Sequence, residues 1–230
     1  MTRPDELLAH SDAVAFSWHG VLFDAGRKSI HEAIRETFAR RGVALTDGEL
    51  HASRGPTGRP QIERLLTLPR VAEAFRTHHR RWPTHEDIDA MQRDLEPRLL
   101  EAAERVPEPN AAACDAIRRL HARGIRTAVV ACTPRRLLAP QLDALARAGL
   151  PLDLVVTADE ACEPAPAPWG LFEVVRQLQV AVATKLVLVD DCPDGALAAR
   201  NAGARSIALT DGRAPARNAD AQISDLSELR

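Results

Sequence analysis

Tyrosine is absent from this 230-residue chain, lysine occurs only at Lys28 and Lys185, and the aromatic residues make up 3% of it. Any reaction that needs a lysine amine therefore has two candidates, and arginine carries nearly all the positive charge. The 30 basic residues stand against 32 acidic ones, a formal net charge of -2, which gives no electrostatic footprint for nucleic acid. The four cysteines, Cys114, Cys132, Cys162 and Cys192, form no C-x-x-C pair and have no histidine at zinc-finger spacing. Neither a disulfide framework nor a structural zinc site is expected. No stretch approaches the roughly 18 apolar residues of a membrane span. Met1–His10 holds Asp5 and Glu6 where a signal peptide would be apolar. The expectation is a cytoplasmic chain with free thiols, no membrane contact and no nucleic-acid partner.

What is present reads as an ordinary globular composition, 45% hydrophobic and 27% charged. The run Ala13–Phe16 predicts a buried strand that ends in a turn at Ser17-Trp18-His19-Gly20. The character then changes. Ile30, Ala33, Ile34, Thr37 and Phe38 follow helical spacing up to Gly42, and Ile88, Met91, Leu95 and Leu99 form a second stripe behind a capping-box-like Thr84 and Asp87. From Asn110 onward helices and strands alternate. Strands are predicted over 125–131, 153–157, 185–190 and 205–209, with helices between them and a short last element after a loop at 213–218. The segment Thr133-Pro134 has the form of a helix start. This pattern predicts an α/β fold: a doubly wound, Rossmann-like parallel sheet formed by residues 1–25 and 106–230, with an all-helical cap inserted at 26–105.

Ligands of such sheets sit beyond the carboxyl ends of the strands. Candidates there are Ser17 and His19 with Gly20, then Thr133, and then Asp190, Asp191 and Asp194. Arg54, Gly58 and Arg59 from the cap and Arg135 from the core are expected to face one another across the same edge, which suits a small anionic molecule.

Three stretches carry a family resemblance: Ser17-Trp18-His19-Gly20 through Asp24-Ala25-Gly26, Arg40–Thr46, and Leu65–Val71 followed by Pro83-Thr84. Pro166-Ala167-Pro168-Trp169 and Arg200–Gly203 add to them. On these the chain resembles the haloacid dehalogenase superfamily and, within it, the phosphonoacetaldehyde hydrolases (phosphonatases). The resemblance implies a capped core, a homodimer formed through the cap, and Mg²⁺ chemistry with a nucleophilic aspartate and a Schiff-base lysine.

The catalytic positions depart from that pattern. Ser17 stands where the family has its nucleophilic, Mg²⁺-binding aspartate, and Gly58 matches the lysine position. Ala165 matches a phosphate-binding arginine. Val130 or Ala131 matches a hydroxyl residue, with Thr133 a turn later as a displaced substitute. In the family's Gly-Asp-x-x-x-Asp, Asp191 keeps the first carboxylate and Gly195 replaces the second, which leaves a weakened Mg²⁺ site. A carboxylate restored at position 17 would then supply a second anionic oxygen for the metal. Two readings of function follow. In one the chain is a pseudoenzyme or a repurposed protein that binds a small ligand or a partner protein. In the other it is a hydrolase or lyase of altered chemistry that uses Ser17, His19 and Asp191.

Overall fold

The computed structural model describes residues 2–23, 26–105, 108–210 and 218–229. Residues 25 and 106 on the core side of the expected domain limits, the motif residue Asp24, and most of the 213–218 loop lie outside the described residues. Six parallel strands form one sheet: β1 (Ala13–Ser17), β2 (Arg126–Val130), β3 (Leu154–Val156), β4 (Leu186–Asp190), β5 (Arg205–Leu209) and β6 (Ala221–Ile223). Their order is β3-β2-β1-β4-β5-β6. Strand β1 is thus central, with Ser17 opposite Val130 on one side and Phe16 opposite Val189 on the other. Its first four residues are buried, as are those of β4, which is why both read as continuous apolar runs and not as alternating ones. The order reverses between β1 and β4, so a crevice opens where those two strands end.

Helices α1 (Pro4–Ala9), α7 (Ala111–Ala122), α8 (Ala139–Ala148), α9 (Trp169–Gln177) and α10 (Pro193–Ala202) accompany the sheet. Residues 26–105 hold only helices among the described residues: α2 (Gly26–Ala39), α3 (Asp47–Ala52), α4 (Arg59–Leu66), α5 (Pro69–His79) and α6 (His85–Arg105). They close around their own apolar cluster, in which Ile34 and Phe38 of α2 meet Met91 and Leu95 of α6. The stripes predicted for these two helices are thus the faces that pack together. The Thr84 amide and hydroxyl both donate to Asp87 at the start of α6, at 2.8 and 3.1 Å, so the Asp87 half of the predicted capping box is formed. No helix among the described residues is long and apolar enough to cross a membrane.

Two local readings change. Helix α1 precedes the first expected element and seats Leu8 in the main core. Thr133-Pro134 does not open the next helix; a 3₁₀ turn follows over Arg135–Leu137, and α8 begins at Ala139 with Pro140 in its first turn. The Thr133 side chain is buried, 2% exposed, and its hydroxyl finds no hydrogen-bond partner. It is therefore unable to act as the cap that its sequence position suggested.

Candidate functional site

A cavity of about 330 Å³ lies against the carboxyl ends of the strands, within the usual size range for small-molecule sites. It is lined by Ser17 at the end of β1 and His19 just beyond it, by Val130 at the end of β2 and Asp190 at the end of β4, and by the loop 54–58 with Gln92 of α6 on the helical side. The Thr57 amide donates to the Cys132 carbonyl at 3.4 Å, which ties that loop to the sheet edge.

Most of the acids at the end of β4 have a partner from residues 26–105. Asp191 is held on one oxygen by Arg27 and on the other by Arg54 Nη1 at 3.5 Å. Asp194, in the first turn of α10, is held by Arg64 Nη1 at 2.6 Å. Gly55 has φ +120°, and a Cβ there would come within 2.9 Å of Asp194 Oδ2, so the loop is pressed directly onto this acid. Asp190 is different. Its Oδ1 accepts from the Cys192 amide at 2.9 Å, and burial followed by the nearby Asp191 pushes its carboxyl up to about 7. Ser17 Oγ lies near enough to steady the Asp190 anion, yet it forms no hydrogen bond of ordinary geometry.

The imidazoles stay neutral. Burial, reinforced by the Arg27 charge, pushes His19 down to about 3, and His31 of α2 is pushed down to about 4 by burial and then by Arg27 and Arg54. A base so weak accepts a proton poorly at neutral pH. With no hydrogen bond from Ser17 Oγ, Ser17 and His19 are not assembled as a nucleophile and base. Cys192 is no better placed as a nucleophile, since burial and then Asp190 raise its thiol to about 12; burial raises Cys132 to about 11.

The structure gathers Ser17, His19, Arg54, Gly58, Arg59, Asp190 and Asp194 around the cavity. Gly20 stands behind them, against Arg27 and Asp191. Arg59 is already paired with Glu63 and Asp89. Two expectations are corrected. Arg135 does not face the cap: the 3₁₀ turn carries it outward to Glu160, 3.0 Å away, and to solvent. Thr133 borders a separate small void that it shares with His19 and Gln141, not the main cavity. Sequence reasoning passed over Arg27, His31, Arg64 and Gln92. For the first two a signal existed, because Arg27, Ile30 and His31 fall on one face of α2 at helical spacing.

The Mg²⁺ that the resemblance implies does not fit these residues. Position 17 offers a hydroxyl, Asp191 and Asp194 are each closed by guanidinium groups, and Asp190 readily takes up a proton. No group of three or more histidine, cysteine or acidic side chains suited to a metal occurs among the described residues. The Schiff-base amine is missing as well. Lys28 is exposed on α2, outside the cavity lining, and Lys185 pairs with Asp12 at the opposite end of the sheet.

Residues 11–203 match the haloacid dehalogenase-like hydrolase family. The phosphonoacetaldehyde hydrolase of Paraburkholderia xenovorans (strain LB400) is 28% identical over 203 residues, which span 88% of this chain and 76% of that protein. That of Nitratidesulfovibrio vulgaris (strain Miyazaki F) is 31% identical over 197 residues, 83% of this chain and 68% of its own. The crystal structure of a phosphonoacetaldehyde hydrolase-like protein from Oleispira antarctica has the same fold, with a TM-score of 0.87 over 96% of this chain and 90% of the other at 20% identity. On the family match over residues 11–203 and the relatives that align with most of its length, the chain belongs to the haloacid dehalogenase-like hydrolase family, among its phosphonatase-like members.

Proposed function

We propose that this chain is a phosphonatase-like protein that binds a small anionic molecule in its cavity and has lost phosphoryl transfer. The observation that carries this reading is the state of the two strand ends. Ser17 replaces the phosphoryl-accepting carboxylate, and the carboxylate that remains, Asp191, is engaged by Arg27 and Arg54. Arg27 and Arg54 both line the cavity and share this one carboxylate, so their guanidinium groups present the positive charge that a small anion would meet. Residues 26–105 serve in this reading as a lid over a core built from 1–25 and 106–230.

A second reading rests on one observation, the raised Asp190 carboxyl beside Ser17. A carboxylate that titrates near neutrality next to a hydroxyl suits a general base, so the chain would be a hydrolase acting through Ser17 on a non-phosphorylated substrate. Phosphate release from phosphonoacetaldehyde in the presence of Mg²⁺ separates the proposal from ordinary phosphonatase activity. No release above the uncatalysed rate is expected, whereas turnover at an enzyme's usual rate of about 1 s⁻¹ or more would refute the loss of function. Hydrolysis of simple carboxylic esters that vanishes in Ser17→Ala would select the second reading.

A further inference from the structure

The geometry points to Arg27 as a built-in cation that occupies the place of a divalent metal between the ends of β1 and β4, so that the protein binds no Mg²⁺ there. Arg27 stands in the first turn of α2, and its Nη2 donates both to the His19 carbonyl, at 2.8 Å, and to Asp191 Oδ1. One nitrogen thus joins the loop after β1 to the loop after β4. A backbone carbonyl and a carboxylate are the oxygens that a hard cation would take from the same two loops. The pair is largely withdrawn from water, with the Arg27 side chain 20% exposed and that of Asp191 14%. A guanidinium suits such a position, since it is always charged and more weakly hydrated than an ammonium group.

The backbone beside the guanidinium leaves room for Nη2, while Arg27 Nε and Nη1 are buried without a hydrogen-bond partner. Gly20 has φ +89°, and a Cβ there would overlap Arg27 Nη2 and lie 2.5 Å from both Asp191 oxygens. Only glycine leaves that volume free. Arg54 closes the second Asp191 oxygen at 3.5 Å. Mg²⁺ in the same place would meet two fixed positive charges and would find too few free oxygens for its octahedral shell. The inference goes beyond the loss of phosphoryl transfer, because it states what fills the cation's place, and its test reads metal binding and not turnover. It also reverses the expectation that a carboxylate at position 17 suffices to rebuild the metal site. With Arg27 present, that carboxylate would add a second ion pair to the guanidinium.

Calorimetric titration with Mg²⁺ at matched ionic strength, together with thermal melts, tests this on the wild type, on Ser17→Asp and on the double variant Ser17→Asp, Arg27→Ala. The first two should show neither saturable heat nor a Mg²⁺-dependent rise in melting temperature. The double variant should bind Mg²⁺ more tightly than Ser17→Asp by roughly tenfold or more, the change expected when a like charge leaves an ion's immediate surroundings. Saturable binding by the wild type or by Ser17→Asp would overturn the inference. So would a double variant that is folded by circular dichroism and still blind to Mg²⁺. If the double variant does not fold, the first two titrations decide.

Discussion

Replacing Gly195 by aspartate will lower the stability of the fold by about 3 kcal/mol, although it restores the residue type that the family places there. Gly195 is buried in the first turn of α10, and a Cβ at this position would overlap Asp190 Oδ2 and lie 2.5 Å from Asp190 Cγ. Asp190 does not give way freely, because its other oxygen holds the Cys192 amide. Relative to the family's Gly-Asp-x-x-x-Asp, this chain has exchanged the glycine and the second aspartate. Asp190 stands at the glycine position and its carboxyl fills the volume opened by Gly195. Gly195→Ala should show the steric part alone, about 1 to 3 kcal/mol, as for other overpacked sites. Aspartate adds a third carboxylate beside Asp190 and Asp191. Swapping both residues, Asp190→Gly with Gly195→Asp, should recover most of the loss. Urea unfolding of the four proteins gives the coupling directly. Additive effects, or a Gly195→Asp variant within 1 kcal/mol of the wild type, would show that the two positions do not share this space.

The second large effect concerns pH. His19 and His31 have depressed folded values, near 3 and near 4, against 6.5 in the unfolded chain. The unfolded state therefore binds more protons in this range, so their contribution is fully present above pH 6.5 and is lost as the pH falls. Asp190 works in the opposite direction. Its folded value lies above the unfolded 3.8, so the folded state takes up a proton first and gains stability as the pH falls from about 7.

Between pH 6.5 and 4.5 the charging of His19 in the unfolded chain costs about 2 to 3 kcal/mol, and that of the half-buried His31 roughly half of that after solvent screening. Asp190 offsets about 2 kcal/mol of the sum. These three groups together should cost the wild type only about 1 kcal/mol across this window, and about 3 kcal/mol in Asp190→Asn. His19→Asn should be less sensitive to acidification than the wild type by about 2 kcal/mol. Glutamates with an ordinary value of 4.5 and a lower folded one, such as Glu49 and Glu173, begin to titrate at the acid end of the window in all the proteins alike, so the differences between the slopes isolate His19 and Asp190. Denaturant midpoints at five or six pH values read all three slopes. Parallel slopes would mean that these groups are not buried as the structure places them.

Much of the architecture is legible in the chain because the central strands β1 and β4 are buried almost throughout and helices α8 and α10 end at Gly149 and Gly203. Helix Pro193–Ala202 and strand Arg205–Leu209 have the bounds that the sequence predicts. The losses at Ser17, Gly58 and Ala165 are legible for a similar reason: each is a residue type at a motif position, and a missing functional group needs no tertiary information. The replacements are not legible in this way. Arg27 acts on an acid 164 residues away, and Arg64 on one 130 residues away, and no local pattern couples such positions. Arg135 follows Thr133-Pro134, whose helix-start pattern is cancelled by the burial of Thr133, and the 3₁₀ turn there carries it outward. Asp190 is one of three candidate acids at a strand end in the sequence, and only the space above Gly195 shows why an acid is accommodated there.

The central claim, that the ends of β1 and β4 no longer carry phosphoryl chemistry, is tested most directly by intact-mass spectrometry of the protein after incubation with phosphonoacetaldehyde, Mg²⁺ and borohydride. Neither a phosphoryl adduct nor a specific reduced lysine adduct should form, because Ser17 lacks an engaged base and neither Lys28 nor Lys185 lines the cavity. A stoichiometric phosphoryl group on Ser17, or rapid reductive trapping at one lysine, would contradict the account.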